Sequence, residues 1–260
     1  MNRGILTSSA VVIFGLVCLG LLHEAGLDPG RSISLAPPAR AEGSAPDRQQ
    51  IIDRFLELWT SPFEHTVFEN RWLGVKTLQN PNDVWITQEI LSEVKPDFLV
   101  EAGTYHGGSA ALWAMVLEQI NPDARVITID IEDQVTEAKK LDIFRRKVDF
   151  LIGSSTDPEI VAEVARRTKG KKVVVLLDSA HNKENVLKEL RAYSPMVEVG
   201  SYVIVQDTIV NGHPIWPDFG PGPYEAVEEF LASDDHFEPD HKRERLLTTF
   251  CRNGFLKRIQ

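Results

Sequence analysis

The sequence predicts an α/β protein: a mostly parallel, doubly wound sheet with helices on both faces and an antiparallel C-terminal edge. Three observations carry this. From residue 98 onward, short apolar runs alternate with stretches of helical periodicity, the pattern of consecutive βαβ units. Four of the runs end on an acid, Glu101, Asp130, Asp178 and Asp207, and ligands of such sheets bind outside the carboxyl ends of the strands. The last two runs, near Leu247–Phe250 and Phe255–Arg258, close the chain as short strands.

Ile5 to Leu22 is an almost uninterrupted apolar run preceded by Arg3. At about 18 residues it reaches the lower limit for a membrane-spanning helix. An N-terminal apolar helix over residues 1–23, serving as an uncleaved single-pass anchor, is therefore expected, with the membrane as a partner. Ala39-Arg-Ala41 has the form of a signal-peptidase site but lies far beyond the apolar run. Cleavage there would make the protein secreted or periplasmic, and a misassigned start would make it cytoplasmic. Residues 24–48 are rich in Pro, Ala, Gly and Ser and read as a flexible linker. Residues 49–260 form the globular domain.

That domain opens with Ile51 to Trp59, apolar at helical spacing. An aromatic-rich segment, Phe63 to Trp72, follows, and then a helix over Asp83–Val94 stopped by Pro96. Strand Phe98–Glu101 leads to helix Gly108–Ile120, and strand Arg125–Asp130 to a helix around Val135–Arg146. Strand Asp149–Ile152 precedes helix Pro158–Arg167, and strand Lys172–Asp178 precedes helix Lys183–Tyr193. Strand Ser201–Asp207 runs into a long loop, Ile209–Pro223, before a helix over Tyr224–Ser233. The loop carries Asn211, His213, Trp216, Asp218 and Phe219. Loops of this length are commonly functional, and this one reads as a substrate lid, with Trp216 and Tyr224 placed to stack on a ring.

The chemistry concentrates at Phe98-Leu-Val-Glu-Ala-Gly-Thr-Tyr-His-Gly-Gly-Ser109. A buried strand is followed by glycines 103, 107 and 108, which let the chain turn sharply and let a ligand approach the backbone. The helix that follows offers unpaired N–H groups and partial positive charge to an anionic group. The spacing fits neither G-x-G-x-x-G nor a P-loop, where Lys-Ser/Thr would replace Ser109-Ala110. With both nucleotide fingerprints absent, S-adenosylmethionine is the leading ligand. Asp130, at the next strand end, is placed to accept both ribose hydroxyls, and Gly153-Ser154-Ser155 to border an adenine. Asp178, His181 and Asp207 converge from adjacent strand ends as a second group. Hard oxygen ligands of this kind suit magnesium or calcium, and His181 is a candidate general base for an acceptor hydroxyl.

Val100-Glu-Ala-Gly-Thr-Tyr-His-Gly-Gly-Ser109, Leu177-Asp-Ser-Ala-His181, Gly200-Ser-Tyr-Val-Ile-Val-Gln-Asp-Thr208 and Leu247-Thr-Thr-Phe250 resemble the cephalosporin hydroxylase/rhamnosyl O-methyltransferase family. The resemblance covers roughly residues 50 to 260. It implies a Rossmann-like methyltransferase fold, S-adenosylmethionine as cofactor and, in some members, Mg2+ beside it. The implied acceptor is a hydroxyl of a small molecule, sugar or lipid-linked saccharide, and the implied assembly is a homo-oligomer. Carried over by motif, Glu101, Gly103, Thr104, Gly107, Gly108 and Ser109 line the methionine end of the cofactor, and Asp130 holds its ribose. Asp178 and His181 are catalytic, and Asp178, Gln206 and Asp207 fall at the metal site. Gln206 stands where the family has an acid, and Ser179-Ala180 where it often has another. Fewer carboxylates weaken Mg2+ binding.

The net charge of −10 argues against nucleic acid as a partner. Cys18 and Cys251 form neither a disulfide framework nor a zinc spacing. The competing readings are a membrane-tethered binding protein with a degenerate, non-catalytic methyltransferase fold, an NAD-dependent oxidoreductase lacking its fingerprint, and a metal-dependent oxygenase lacking a facial triad.

Overall fold

The computed structural model describes residues 47–61 and 67–260. The expected segment 1–23, nearly all of 24–48, and residues 62–66 with Phe63 lie outside these. The helices are α1 (Arg48–Trp59), α2 (Pro81–Val94), α3 (Gly108–Ile120), α4 (Asp142–Lys147), α5 (Pro158–Thr168), α6 (Lys183–Tyr193) and α7 (Pro223–Ser233). A hairpin, β1 (Arg71–Trp72) and β2 (Val75–Lys76), precedes α2. The central strands are β3 (Phe98–Ala102), β4 (Arg125–Asp130), β5 (Val148–Ile152), β6 (Val173–Leu177), β7 (Tyr202–Val205), β8 (Phe237–Pro239) and β9 (Phe255–Arg258).

The expectation of membrane association through a single-pass helix is corrected here. Among the described residues no helix is long and apolar enough to cross a membrane. The longest of them, α2, has 14 residues. At about 1.5 Å per residue it falls well short of the roughly 30 Å of bilayer hydrocarbon.

The sheet runs β5-β4-β3-β6-β7-β9-β8. The first five strands pair in parallel, while β9 pairs antiparallel to both β7 and β8. Alternate residues of one strand feed opposite cores. Leu99, Val174 and Leu176 join Trp113 and Leu117 of α3 on one face; Val100, Val173 and Val175 join Leu190 and Tyr193 of α6 on the other. All five residues of β6 are buried, which only a sheet covered on both faces allows. Each fully buried Val or Leu contributes about 1.5–3 kcal/mol against exposure.

Two sequence expectations change. The helix around Val135–Arg146 is a 3-10 turn, Ala138–Lys140, followed by α4 after an extended Leu141. Val135, Ala138 and Phe144 converge on Gly107, where an added Cβ would lie within 3.0 Å of all three. Packing around one backbone point displaces a continuous helical stripe. The second is Leu247–Phe250, which is a loop rather than a strand. The buried Asp83 of α2 accepts hydrogen bonds from Thr249 Oγ1 (2.6 Å) and the Phe250 N–H (2.6 Å), and the edge strand is β8 instead.

The close approach of β3 and β6 depends on Gly103, which sits at φ +97°. A Cβ there would lie 2.0 Å from the Asp178 carbonyl oxygen. Gly103→Ala is expected to destabilise the fold by at least about 2 kcal/mol, since strain at positive φ adds to a backbone clash. Urea unfolding of the variant checks this, and a native midpoint would contradict it.

Candidate active site

A cavity of about 470 Å³ opens over the carboxyl ends of β3, β4 and β6, within the range for small-molecule sites. Its walls come from the segment Lys76 to Gln79, the Gly103 turn, the start of α3, the β4 and β5 ends, and the stretch after β6. Gly108 is pressed against that first segment, with Thr77 Oγ1 lying 2.0 Å from the position a Cβ would take. The N-cap of α3 is Gly107 at φ +80°, with no side-chain cap. The helix N-terminus therefore keeps its capacity for a ligand.

Asp130 shapes the turn. Its Oδ2 accepts hydrogen bonds from the Thr104 N–H (3.0 Å) and the Tyr105 N–H (2.7 Å). These bonds hold Tyr105 at φ +48°, a conformation costing about 1 kcal/mol or more for a non-glycine residue. Among the described residues its other oxygen accepts one long hydrogen bond, from the Glu132 N–H at 3.3 Å.

The predicted site residues separate into two sets. Gly103, Thr104, Gly108, Ser109, Asp130, Ser154, Asp178, His181 and Asp207 line the cavity; Glu101, Gly107 and Gln206 do not. Gly107 faces the apolar cluster around Ala138 and Phe144. Glu101 lies one residue inside the strand end, because β3 continues through Ala102. It is fully buried and accepts a hydrogen bond from Thr128 Oγ1 at 2.6 Å, with Ser109 and Trp113 beside it. Burial pushes its carboxyl up to about 7. Thr128 Oγ1 is in turn 2.7 Å from Thr104 Oγ1, so Glu101 supports the turn from behind.

Asp178, His181 and Asp207 meet, their ligating atoms all within 4.8 Å of one another. His181 Nε2 lies 3.2 Å from Asp207 Oδ2. Asp207 occupies a left-handed backbone conformation at φ +55°, which swings its side chain out of line with β7. Burial raises the Asp178 carboxyl well above the ordinary range, and the neighbouring Asp207 and Glu101 charges raise it further. Gln206 is turned away from this group: its Nε2 donates to Gln79 Oε1 at 2.7 Å, and Gln79 Nε2 donates to Asp178 Oδ2 at 2.8 Å. Gln79 is the residue that sequence reasoning missed. It lies 99 positions from Asp178, and no local spacing marks it.

The loop after β7 packs beside this group. Lys183 N–H donates to Pro221 O at 3.0 Å, next to His181. Ile209, Val210 and Ile215 form a small core with Leu56, Val67 and Phe250. Glu225 of α7 accepts from Asn211 Nδ2 (2.7 Å) and the Gly222 N–H (2.7 Å), and His213 Nε2 lies 3.0 Å away. Although burial pushes the Glu225 carboxyl up, these donors bring it to about 2. Tyr224 is stacked on His213 with ring centroids 3.9 Å apart, so it is occupied, whereas Trp216 and Phe219 are exposed.

The parallel sheet with an antiparallel penultimate strand, the glycine turn opening α3 and the acid at the end of β4 mark a Rossmann-like, S-adenosylmethionine-dependent O-methyltransferase. Within that class the chain belongs to the family described as Rhamnosyl O-methyltransferase/CmcI, whose model matches residues 64–259. A rhamnosyl O-methyltransferase of Mycobacterium bovis (strain BCG / Pasteur 1173P2) is 38% identical over 197 residues, covering 72% of this chain and 77% of that protein. One from Mycobacterium leprae (strain TN) is 38% identical over 193 residues, covering 72% and 82%. Among solved structures, CmcI in its Mg-SAM form superposes with a TM-score of 0.57 at 21% identity, covering 93% of this chain and 96% of that one.

Glu101 gives a pH-dependent prediction. An acid whose folded pKa is raised to about 7 holds its proton more tightly folded than unfolded, so its stabilisation is fully present below the unfolded pKa. That contribution is lost as pH rises from ordinary carboxylate values through about 7. Glu101→Gln removes the titration. Its melting temperature relative to the native chain should rise between pH 5 and pH 7.5, and a pH-independent difference would refute the assignment.

Proposed function

We propose that this methyltransferase acts on a hydroxyl of a deoxysugar such as rhamnose, free or on a lipid-linked saccharide, with the cavity as its cofactor site and the Asp178–His181–Asp207 group as its reaction centre. The observation that carries the reading is the convergence of that group on the wall of the cavity that Asp130 organises. The named activity of the mycobacterial relatives supports the acceptor class. On this reading residues 49–260 are the methyltransferase domain and residues 24–48 its linker. Every residue the reading uses lies on one chain.

The cavity suits the cofactor. Its volume, the glycine approaches and the uncapped start of α3 admit an extended ligand, and Asp130 keeps an oxygen free of strong bonds for a ribose hydroxyl. Gly103, Thr104, Gly108 and Ser109 would border its methionine end, and Ser154 its base. Glu101 and Gly107 would act from behind the wall. When bound, S-adenosylmethionine supplies a sulfonium-activated methyl group. The chain's part is to align the acceptor oxygen with that methyl, which is worth up to about 7–11 kcal/mol in ideal cases, and to take the hydroxyl proton.

His181 is placed to take that proton. Asp207, 3.2 Å from Nε2, orients the imidazole ring. Asp178 and Asp207 with His181 fit a divalent cation, since the two carboxylates lie close enough to raise one another's affinity for positive charge. Asp178 and Asp207 would hold Mg2+, which would supply Lewis acidity at the acceptor hydroxyl. Gln206 would contribute through Gln79 by fixing the Asp178 carboxylate.

Calorimetric titration with S-adenosylmethionine, with and without magnesium, tests the cofactor site. Micromolar binding is expected, weakened at least about tenfold by Asp130→Ala, which removes two charge-assisted bonds from the turn. His181→Ala should lower methyl transfer to a rhamnoside by about 10²–10⁴-fold while leaving cofactor affinity within about twofold. Full turnover in that variant would remove His181 from the mechanism, and no cofactor binding by the native chain would remove the site.

A further inference from the structure

Glu189 of α6 is a buried carboxylate that the proposed chemistry does not use. Its side chain is fully buried. Oε1 accepts a short hydrogen bond from Ser155 Oγ and another from Ser179 Oγ at 2.5 Å. Oε2 has no partner. A proton bound to this carboxyl therefore sits on Oε2, and Oε1 remains an acceptor in either charge state. Both serines line the cavity.

The consequence lies on the cavity side of those hydroxyls. A serine hydroxyl has one hydrogen to give, and here both hydrogens are committed to Glu189. Asn185, also on the wall, directs Nδ2 to Ser179 Oγ (3.0 Å) and to Ala180 O (3.5 Å), leaving Oδ1 for a ligand. The Ser155 carbonyl is taken by Tyr193 Oη at 2.6 Å, which ties the loop to α6. Ser155 Oγ, Ser179 Oγ and Asn185 Oδ1 then form a patch that accepts hydrogen bonds and donates none.

We propose that Glu189 is a positioning residue that keeps this patch acceptor-only and thereby selects a cofactor base carrying a 6-amino group over one carrying a 6-oxo group. The inference rests on the cofactor reading above. Sheet order and hydrogen bonding supply the direction: with ribose at Asp130 on β4, the base lies toward β5, where Ser155 follows, and Glu189 draws Ser179, with Asn185 bonded to it, to the same point. An exocyclic amine offers only hydrogens in its plane and matches the patch. A 6-oxo group would face acceptors with an acceptor, leaving buried polar atoms unpaired.

The experiment compares S-adenosylhomocysteine with its deaminated 6-oxo analogue, S-inosylhomocysteine, by calorimetry on the full chain. The native protein should favour the amino form at least about tenfold. Glu189→Gln keeps a carbonyl at Oε1 and should keep the preference. Glu189→Met is close in size but accepts nothing, so the freed hydroxyls turn to donate and the preference should fall to within about twofold, the 6-oxo ligand gaining. If Glu189→Met does not fold, the double variant Ser155→Ala/Ser179→Ala should lose the preference likewise. Equal binding of the two ligands by the native chain, or an undiminished preference in either variant, overturns the inference and leaves the cofactor site standing. Binding of neither ligand overturns both.

Discussion

The meeting of the β3 and β6 ends governs the rest of the site. At Gly103 the two backbones approach so closely that no side chain fits between them. That contact brings the turn shaped by Asp130 and the start of α3 beside Asp178. The close approach needs a residue without Cβ, held at positive φ. The hydrogen bonds from Asp130 to successive backbone N–H groups then hold the turn open. The cavity is thus defined by backbone geometry first and side-chain identity second.

A cluster of buried carboxyls is the second organising fact. Asp83, Glu101, Asp178, Glu189 and Asp207 gather under or around the reaction centre, and burial raises the carboxyls of the first four. Asp83, Glu101, Asp178 and Glu189 are held by hydroxyls, an amide and a backbone N–H group, and Asp207 lies against His181. A site built this way favours positively charged species, which suits a sulfonium and a divalent cation alike. The amide of Gln206, after β7, serves Gln79 and, through it, Asp178.

Much of the sheet was legible because its signals are local. Helices Gly108–Ile120 and Lys183–Tyr193 and strand Arg125–Asp130 match their expected bounds, since periodicity, glycine and asparagine caps mark them within a few residues. The turn after Phe98–Ala102 was legible for the same reason. What failed depends on distant partners. Leu247–Phe250 reads as a strand until the buried Asp83 captures Thr249 and Phe250. The Val135–Arg146 helix breaks because its apolar residues converge on Gly107. The hairpin at Leu73-Gly74 places a leucine at φ +50°, which turn statistics disfavour. Glu101 looked like a rim residue because the strand appeared to end on it; one more residue of pairing turns it inward. Gln79 and Glu189 act through contacts far along the chain, and residue spacing carries no trace of either.

The small apolar core beside the reaction centre has a consequence for the order in which the molecule assembles. Leu56 comes from the first described helix, Ile209, Val210 and Ile215 from the loop after β7, and Phe250 from near the C-terminus. Contacts of such long range form late, because the chain entropy of closing them is recovered only after the intervening sheet exists. The Asp130 turn, by contrast, closes over 25 residues. The Asp130 turn therefore belongs to the early, local part of the folding sequence, and this small core waits for residues as far apart as Leu56 and Phe250. A partly unfolded molecule keeps the Asp130 turn longer than it keeps this core.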